Sequence, residues 1–106
     1  MTRFLDICRN PANPADGDTP YLIVVQGDYV QVQTTRVVVP LMKVEAVSPI
    51  IEGGLMPEFT VEGRQVVMVT PELAGIPILD IGTVVANAED RHHDVRRAID
   101  ILTGDL

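Results

Sequence analysis

The chain has 106 residues, 46% hydrophobic and 22% charged, enough for one hydrophobic core and too apolar for wholesale disorder. Eight basic against 15 acidic residues give a net charge of −7, which disfavours binding to the phosphate backbone of nucleic acids. A single cysteine excludes an internal disulfide framework and a cysteine-rich zinc site. We expect one domain over residues 1–106, located in the cytoplasm. No membrane span is expected, because no long apolar run is present.

The first half of the chain has the pattern of short strands separated by turns. Arg3–Arg9 and the nearly all-apolar Tyr21–Val25 are predicted strands, and the segment between them, rich in proline and asparagine, is a predicted loop. The Tyr21–Val25 strand is expected to be buried on both faces or at an interface. Tyr29–Gln33 alternates apolar and polar residues, which predicts a strand with one exposed face. Arg36–Leu41 predicts a further strand, with its proline at an edge or a bend.

The clearest hairpin of the sequence lies in the second half. Glu58–Val61 and Arg64–Val69 are rich in β-formers and flank Glu62-Gly63, a two-residue turn with glycine second. This arrangement is typical of a type I′ connection. Thr70–Leu73 is a predicted single helical turn with proline near its start, and Ile76–Leu79 is a predicted short strand.

The last segment changes its hydrophobic period. From Ala88 to Leu102 apolar residues recur at helical spacing, which predicts an amphipathic helix that Gly104 can close. Many short strands followed by one helix predict a mainly β protein, a small curved sheet or barrel of antiparallel strands with one C-terminal α-helix packed on it.

Few residues indicate catalysis or metal binding. Cys8 lies in an apolar strand, where a lone cysteine is more often a small core residue than a nucleophile. Residues 89–94 hold histidines and carboxylates one helical turn apart, but without a further ligand we favour a solvated helix face. Ser48 has no histidine or aspartate at a suggestive spacing. The sequence therefore predicts no catalytic residue, no metal and no cofactor.

Several segments, in order and over nearly the whole chain, match the pattern of one protein family. They are Phe4, Gln26–Asp28, Arg36–Leu41, Leu55–Pro57 with Phe59, Gly63 with Met68–Thr70, Ala74–Pro77, Ile81-Gly82 and Arg91–Leu102. Together they resemble the CcdB family of toxin–antitoxin toxins, which poison DNA gyrase. The resemblance implies an SH3-like barrel with a C-terminal helix, a homodimer and no enzymatic activity.

The resemblance also implies two partners. Toxins of this family wedge into the gyrase A dimer and trap the enzyme on cleaved DNA, and an antitoxin with a disordered C-terminal tail holds them off. The family's tail ends in Trp-Gly-aliphatic, whereas this chain has no tryptophan. By resemblance, the gyrase-binding residues are Phe4, Tyr29, Asp100, Gly104, Asp105 and Leu106.

For the antitoxin, the resemblance indicates a groove whose candidate positions are Arg9, Tyr21, Lys43, Glu45 and Arg64. The net charge favours an antitoxin tail with a basic stretch.

Two alternative functions stay open at this point. In the first, the chain has lost gyrase poisoning together with the tail tryptophan, and acts on another target or only binds its antitoxin. In the second, the chain is a ribonuclease toxin, since ribonucleases use the same barrel and a fold alone does not assign function. A ribonuclease needs a basic cleft with an acid–base set. The side chains available for it are Arg36, Arg64, Arg91, His92 and His93.

Overall fold

Seven antiparallel strands form one curved sheet in the computed structural model, which describes residues 2–104. The strands are β1 (Asp6–Arg9), β2 (Tyr21–Val24), β3 (Thr35–Lys43), β4 (Glu58–Val61), β5 (Arg64–Met68), β6 (Ala74–Pro77) and β7 (Val84–Asn87), and the helix α1 spans His92–Leu102. Their order is β4-β5-β3-β2-β1-β7, with β6 paired to β3 beside this path. The result is an antiparallel half-barrel with one C-terminal helix, which confirms the predicted fold.

The long strand β3 organises the sheet by changing neighbours along its length. Its first residues pair with β6, from Thr35↔Pro77 onward, and its last residues pair with β5, from Leu41↔Met68 onward. Pro40 lies where the neighbour changes, and its carbonyl accepts a hydrogen bond of 3.0 Å from the Val69 N–H. A proline, which has no N–H to donate, is therefore tolerated in a central strand because it sits at this break in the ladder.

The helix packs on one face of the sheet and forms the main core with it. Val95 and Ala98 of α1 are buried there against residues of every strand from β1 to β5. The sheet residues of this core are Ile7, Tyr21, Ile23, Val39, Leu41, Phe59, Val61, Val66 and Met68, joined by Leu5 and Ala88. Burial of this aliphatic surface is the main force that holds the helix on the sheet.

The opposite face of β1, β2 and β3 is covered as well. Cys8, Leu22, Val24 and Val38 form a second buried cluster, against which Ile76 and Ile81 pack. All four residues of β2 are consequently buried within a single chain. The apolar run that began at Tyr21 is explained by burial on both faces, so it gives no reason to place this strand at an interface.

The predicted hairpin and helix are both confirmed. Glu62 and Gly63 take φ values of +52° and +77°, the left-handed backbone that a type I′ turn requires. Thr70–Glu72 forms a short 3-10 helix with its proline near the start, as predicted. The helix α1 is preceded by a 3-10 turn over Glu89–Arg91. It is followed, after Thr103, by Gly104, whose φ of +85° closes the helix.

The predicted strand over Tyr29–Gln33 is wrong, because these residues form a loop between β2 and β3. Local hydrogen bonds hold Val30 in this loop: the Gln26 side chain donates to the Val30 carbonyl at 2.8 Å, and the Val30 N–H donates to the Gly27 carbonyl at 3.0 Å. Such bonds compete with a strand ladder, and alternation alone supplies no neighbouring strand. The strand β7 went unpredicted, and β6 begins two residues before the predicted strand.

Candidate partner-binding sites

Phe4 and the loop that carries Tyr29 are joined directly. The Phe4 N–H donates a hydrogen bond of 2.8 Å to Oδ1 of Asp28, the residue before Tyr29. The Phe4 ring also meets the His92 ring edge-on at the start of α1, with 5.6 Å between centroids. Tyr29 is 99% exposed, so its whole ring is available to a partner. Two of the predicted gyrase-binding residues therefore belong to one surface.

The other predicted gyrase-binding residues belong to the far end of α1. Asp100 lies eight positions beyond His92, about 12 Å along the helix axis. Gly104 closes the helix, and its N–H donates to the Ile101 carbonyl at 3.2 Å. Asp105 and Leu106 lie outside the described residues. Within one chain, the described candidates thus form two groups at opposite ends of α1 rather than one contiguous contact set.

The side chains at the start of α1 are engaged with one another. Arg91 Nε donates to Asp94 Oδ2 at 2.6 Å, and Arg91 Cζ lies 4.4 Å from the Phe59 ring centroid. The His92 and His93 rings stack with 5.6 Å between centroids. Among residues 2–104, no group of three or more metal-ligating side chains is found. No helix within that range is long and apolar enough to cross a membrane.

Two of the arginines considered for a ribonuclease cleft, Arg36 and Arg64, are far apart. Arg36 lies near the start of β3, and its Nη1 donates to the Thr35 carbonyl at 2.8 Å. Arg64 begins β5, whose Val66 pairs with Lys43 at the other end of β3. A strand rises by about 3.3 Å per residue, so Arg36 and Lys43 on β3 are about 23 Å apart. The sheet does not gather these arginines into one cleft.

Glu62 binds two of the five candidate antitoxin-binding residues at one end of the sheet, and the charge of a third, Arg64, lies nearby. Its carboxylate accepts hydrogen bonds from the Tyr21 hydroxyl at 2.6 Å and from Arg9 Nη2 at 2.9 Å. Burial raises the pKa of Tyr21, the Glu62 hydrogen bond and charge raise it further, and the nearby Arg64 and Arg9 charges oppose the rise. Tyr21 is only 1% exposed, so it holds Glu62 in place and offers a partner little contact area.

Lys43 lies beside this cluster and within an acidic stretch made by Asp16, Asp18 and Glu45. Its Nζ donates to the Asp16 carbonyl at 3.0 Å, and its N–H donates to the Asp18 carbonyl at 2.9 Å. Asp16, Asp18 and Glu45 are all exposed around it. By strand alternation, Lys43 faces the same side of the sheet as Tyr21, whose cross-strand partner is Leu41.

A model of the CcdB protein family matches residues 4–104. The chain belongs to the CcdB family. Its membership identifies it as a toxin of a toxin–antitoxin module, and CcdB-family toxins are gyrase poisons rather than enzymes.

In this CcdB-family chain, the one cysteine is placed for packing. Cys8 is fully buried between β2 and β7, and burial raises the pKa of its thiol from 9.0 to about 11, with the Asp6 charge adding to the rise. A thiol of this kind is protonated near neutrality and a poor nucleophile. The placement agrees with the interpretation of Cys8 as a core residue.

Sequence reasoning about the CcdB-like surface missed Glu62. The hairpin pattern marked it only as a turn residue, because nothing local shows that β1 ends and β2 begins beside that turn. A possible signal was its type: glutamate is unusual at a position that requires positive φ, where glycine, asparagine and aspartate are preferred. A residue that departs from turn chemistry is a candidate for a tertiary contact.

Proposed function

We propose that this toxin binds the DNA gyrase A subunit and traps gyrase on cleaved DNA, and that a cognate antitoxin neutralises it. The proposal rests above all on membership of the CcdB family over residues 4–104. We further propose that the chain acts as one CcdB-like domain.

The surface of Phe4 and Tyr29 supports binding to a protein target. The ring of Tyr29 is exposed to water in the free chain, which is unfavourable for its apolar surface. It contributes a large contact area once a partner covers it. The hydrogen bond from the Phe4 N–H to Asp28 anchors the loop beside Tyr29. Part of the ordering cost of binding is thereby met before the partner arrives.

The test is inducible expression in a sensitive host without antitoxin, scoring viability and covalently trapped gyrase–DNA complexes. Tyr29→Ala should weaken both effects, because it removes contact area without touching the core. Ile51→Ala is a matched control, since Ile51 is an exposed apolar residue on a different loop. Toxicity without trapped gyrase complexes would contradict the proposed target, and equal effects of the two variants would contradict the proposed surface.

A second function is favoured by one observation: the chain has no tryptophan, whereas by resemblance the family has one at the position of Gly104. A large aromatic in a pocket commonly carries much of an interface's binding energy. In this second candidate the chain acts on another target or only binds its antitoxin. The same expression assay separates the two candidates, because only the first gives trapped gyrase–DNA complexes.

For the antitoxin, we propose that its tail crosses the end of the sheet between Glu62 and Lys43. The exposed side chains of Arg9, Glu45 and Arg64 line this path, and Asp16 and Asp18 border it. The acidic stretch around Lys43 and the net charge of −7 both favour basic residues in the tail.

Binding of the cognate antitoxin tail tests this path. Glu45→Gln should weaken binding several-fold at low salt and less at high salt, because exposed charges are screened. Asp80→Asn is the matched control, since Asp80 is an exposed carboxylate beyond β6, near the opposite end of β3. Equal affinities of the two variants would contradict the path.

We also propose that the toxin is a homodimer. The edge strand β6 is exposed at Ala74, Gly75 and Pro77 and carries no charge, and Leu79 just beyond it is 94% exposed. Uncharged apolar surface of this kind is typical of interfaces. Analytical ultracentrifugation at micromolar concentration should give a species of twice 11.6 kDa, and a purely monomeric species would contradict the proposal.

A further inference from the structure

A cavity of about 860 Å³ lies between the N-terminal segment and the loop that joins β2 to β3. Its volume is within the range of small-molecule sites, roughly 300–1,000 Å³. One wall is apolar and is made by Val24, Val30, Val32 and Ile78. The cavity therefore offers a hydrophobic surface on which an aliphatic or aromatic body can lie.

Polar groups converge on the same cavity from the other side. Arg3 and Arg36 both line it, and among the described residues the Arg3 guanidinium has neither an ion pair nor a hydrogen bond. Arg36 uses Nη1 on the Val32 and Thr35 carbonyls, which leaves Nε and Nη2 unengaged. Thr2 also belongs to the lining, although its hydroxyl oxygen is buried, and no partner for that hydroxyl is found within residues 2–104.

The charge of this cavity departs from that of the whole protein. The lining contains two guanidinium groups, those of Arg3 and Arg36, and one carboxylate, that of Asp28. Oδ1 of Asp28 already accepts a hydrogen bond from the Phe4 N–H. The chain as a whole carries −7. Gln31 and Gln33 add amide groups to the rim, and within residues 2–104 no hydrogen bond of either side chain is found. Positive charge and unused donors beside an apolar wall are the features that recognise an amphipathic anion.

We propose that this cavity binds a small amphipathic anion, an apolar body that carries a carboxylate or phosphate group. The apolar body lies on Val30, Val32 and Ile78, with the buried Val24 behind them. The oxyanion accepts hydrogen bonds from Arg3 and from Nε and Nη2 of Arg36. The site adjoins the surface of Phe4 and Tyr29 proposed for gyrase and shares Asp28 with it, but it lies away from the proposed antitoxin path.

The test is calorimetric titration of the purified toxin with four probes: octyl phosphate, octanoate, octanol and inorganic phosphate. The two octyl anions should bind at least about tenfold more tightly than octanol, which lacks the charge, or phosphate, which lacks the apolar body. Comparing octyl phosphate with octanoate then shows which oxyanion the cavity prefers. Equal affinities of octanol and octanoate would overturn the proposal, and so would no binding of either anion.

Two variants and one control locate the binding. Arg3→Gln should weaken octanoate about tenfold and leave octanol unchanged, because Arg3 is exposed and only its charge is lost. Val32→Asp, which places a carboxylate on the apolar wall, should abolish binding of the anions. Arg96→Gln, on the exposed side of α1, should change nothing. Equal effects of Arg3→Gln and Arg96→Gln on octanoate binding would overturn the site.

Discussion

The Tyr21 hydroxyl donates a hydrogen bond of 2.6 Å to Oε1 of Glu62 and so ties the start of β2 to the β4–β5 turn. The other oxygen of the same carboxylate accepts from Arg9 at the end of β1. One turn residue therefore connects three segments that are distant in sequence. Because the Tyr21 ring is buried in the main core, the position of Glu62 is fixed from the inside of the fold.

Removing this hydrogen bond should lower stability. Tyr21→Phe keeps the buried ring and deletes only the hydroxyl, so we expect the free energy of unfolding to fall by about 1 kcal/mol. Tyr29→Phe is the matched control, because its ring is 99% exposed and should leave stability unchanged. Urea denaturation of both variants measures the difference, and the interpretation fails if the two variants are equally stable.

Stability should also fall at alkaline pH. Burial raises the pKa of the Cys8 thiol from 9.0 to about 11 and also raises the pKa of Tyr21. The unfolded chain loses these protons first, so it binds fewer protons than the folded chain in this range, and the stability present below about pH 9 declines as pH rises. For Cys8 the loss should amount to at most about 2 kcal/mol by about pH 11.

Cys8→Ala isolates the cysteine's part of this pH dependence. The variant loses packing at every pH, so its absolute stability is not informative. The quantity to measure is the change of the unfolding free energy with pH between about pH 9 and pH 11. That slope should be shallower than in the wild type. An unchanged slope would show that the thiol does not titrate differently in the two states.

A side chain at the turn glycine of the hairpin should lower the stability of the fold. Gly63 has a φ of +77°, so Gly63→Ala should destabilise the chain by roughly 1 kcal/mol, although a Cβ would meet no neighbour there. Gly27→Ala is the control, because Gly27 has equally open surroundings and no positive φ. Thermal unfolding should separate the two variants, and equal melting temperatures would mean that backbone conformation is not the cause.

Elements defined by local chemistry could be predicted from the sequence, whereas elements defined by their neighbours could not. The Glu62-Gly63 turn and the Gly104 helix end depend on backbone conformations that particular residues favour, and both were found. The strand β7 becomes a strand by pairing with β1, as in Asp6↔Asn87, and no local pattern marks it. Alternation over Tyr29–Gln33 predicted a strand that lacks a neighbour.

The candidate sites follow the same division. Residue type and resemblance pointed to Phe4 and Tyr29, and the hydrogen bond between Phe4 and Asp28 shows why they share a surface. Glu62 escaped prediction because its importance comes from Tyr21 and Arg9, which are distant in sequence. The cavity between the N-terminal segment and the β2–β3 loop escaped it too, since Arg3 and Arg36 meet there only after folding.

The last prediction concerns the tail, where by resemblance Gly104 falls at the position of the family's aromatic anchor. If the proposed gyrase binding uses the helix tip, the missing anchor should weaken affinity for the gyrase A subunit by on the order of 2–4 kcal/mol relative to a tryptophan-bearing relative. Restoring the family's ending with Gly104→Trp and Asp105→Gly should therefore tighten binding. Gly104 is exposed and no atom lies near its Cβ position, so the fold has space for the indole, although the positive φ there carries some strain.

Deleting residues 104–106 gives the complementary measurement. The deletion starts after the last turn of α1, beyond the buried Val95 and Ala98, so the fold should survive it, as circular dichroism can show. Binding of the wild type, the deletion and the double substitution to a gyrase A fragment is then compared by calorimetry. We expect the order double substitution, wild type, deletion, from tightest to weakest. Tight wild-type binding that survives the deletion would exclude the helix tip as the contact and leave the surface of Phe4 and Tyr29 to account for it.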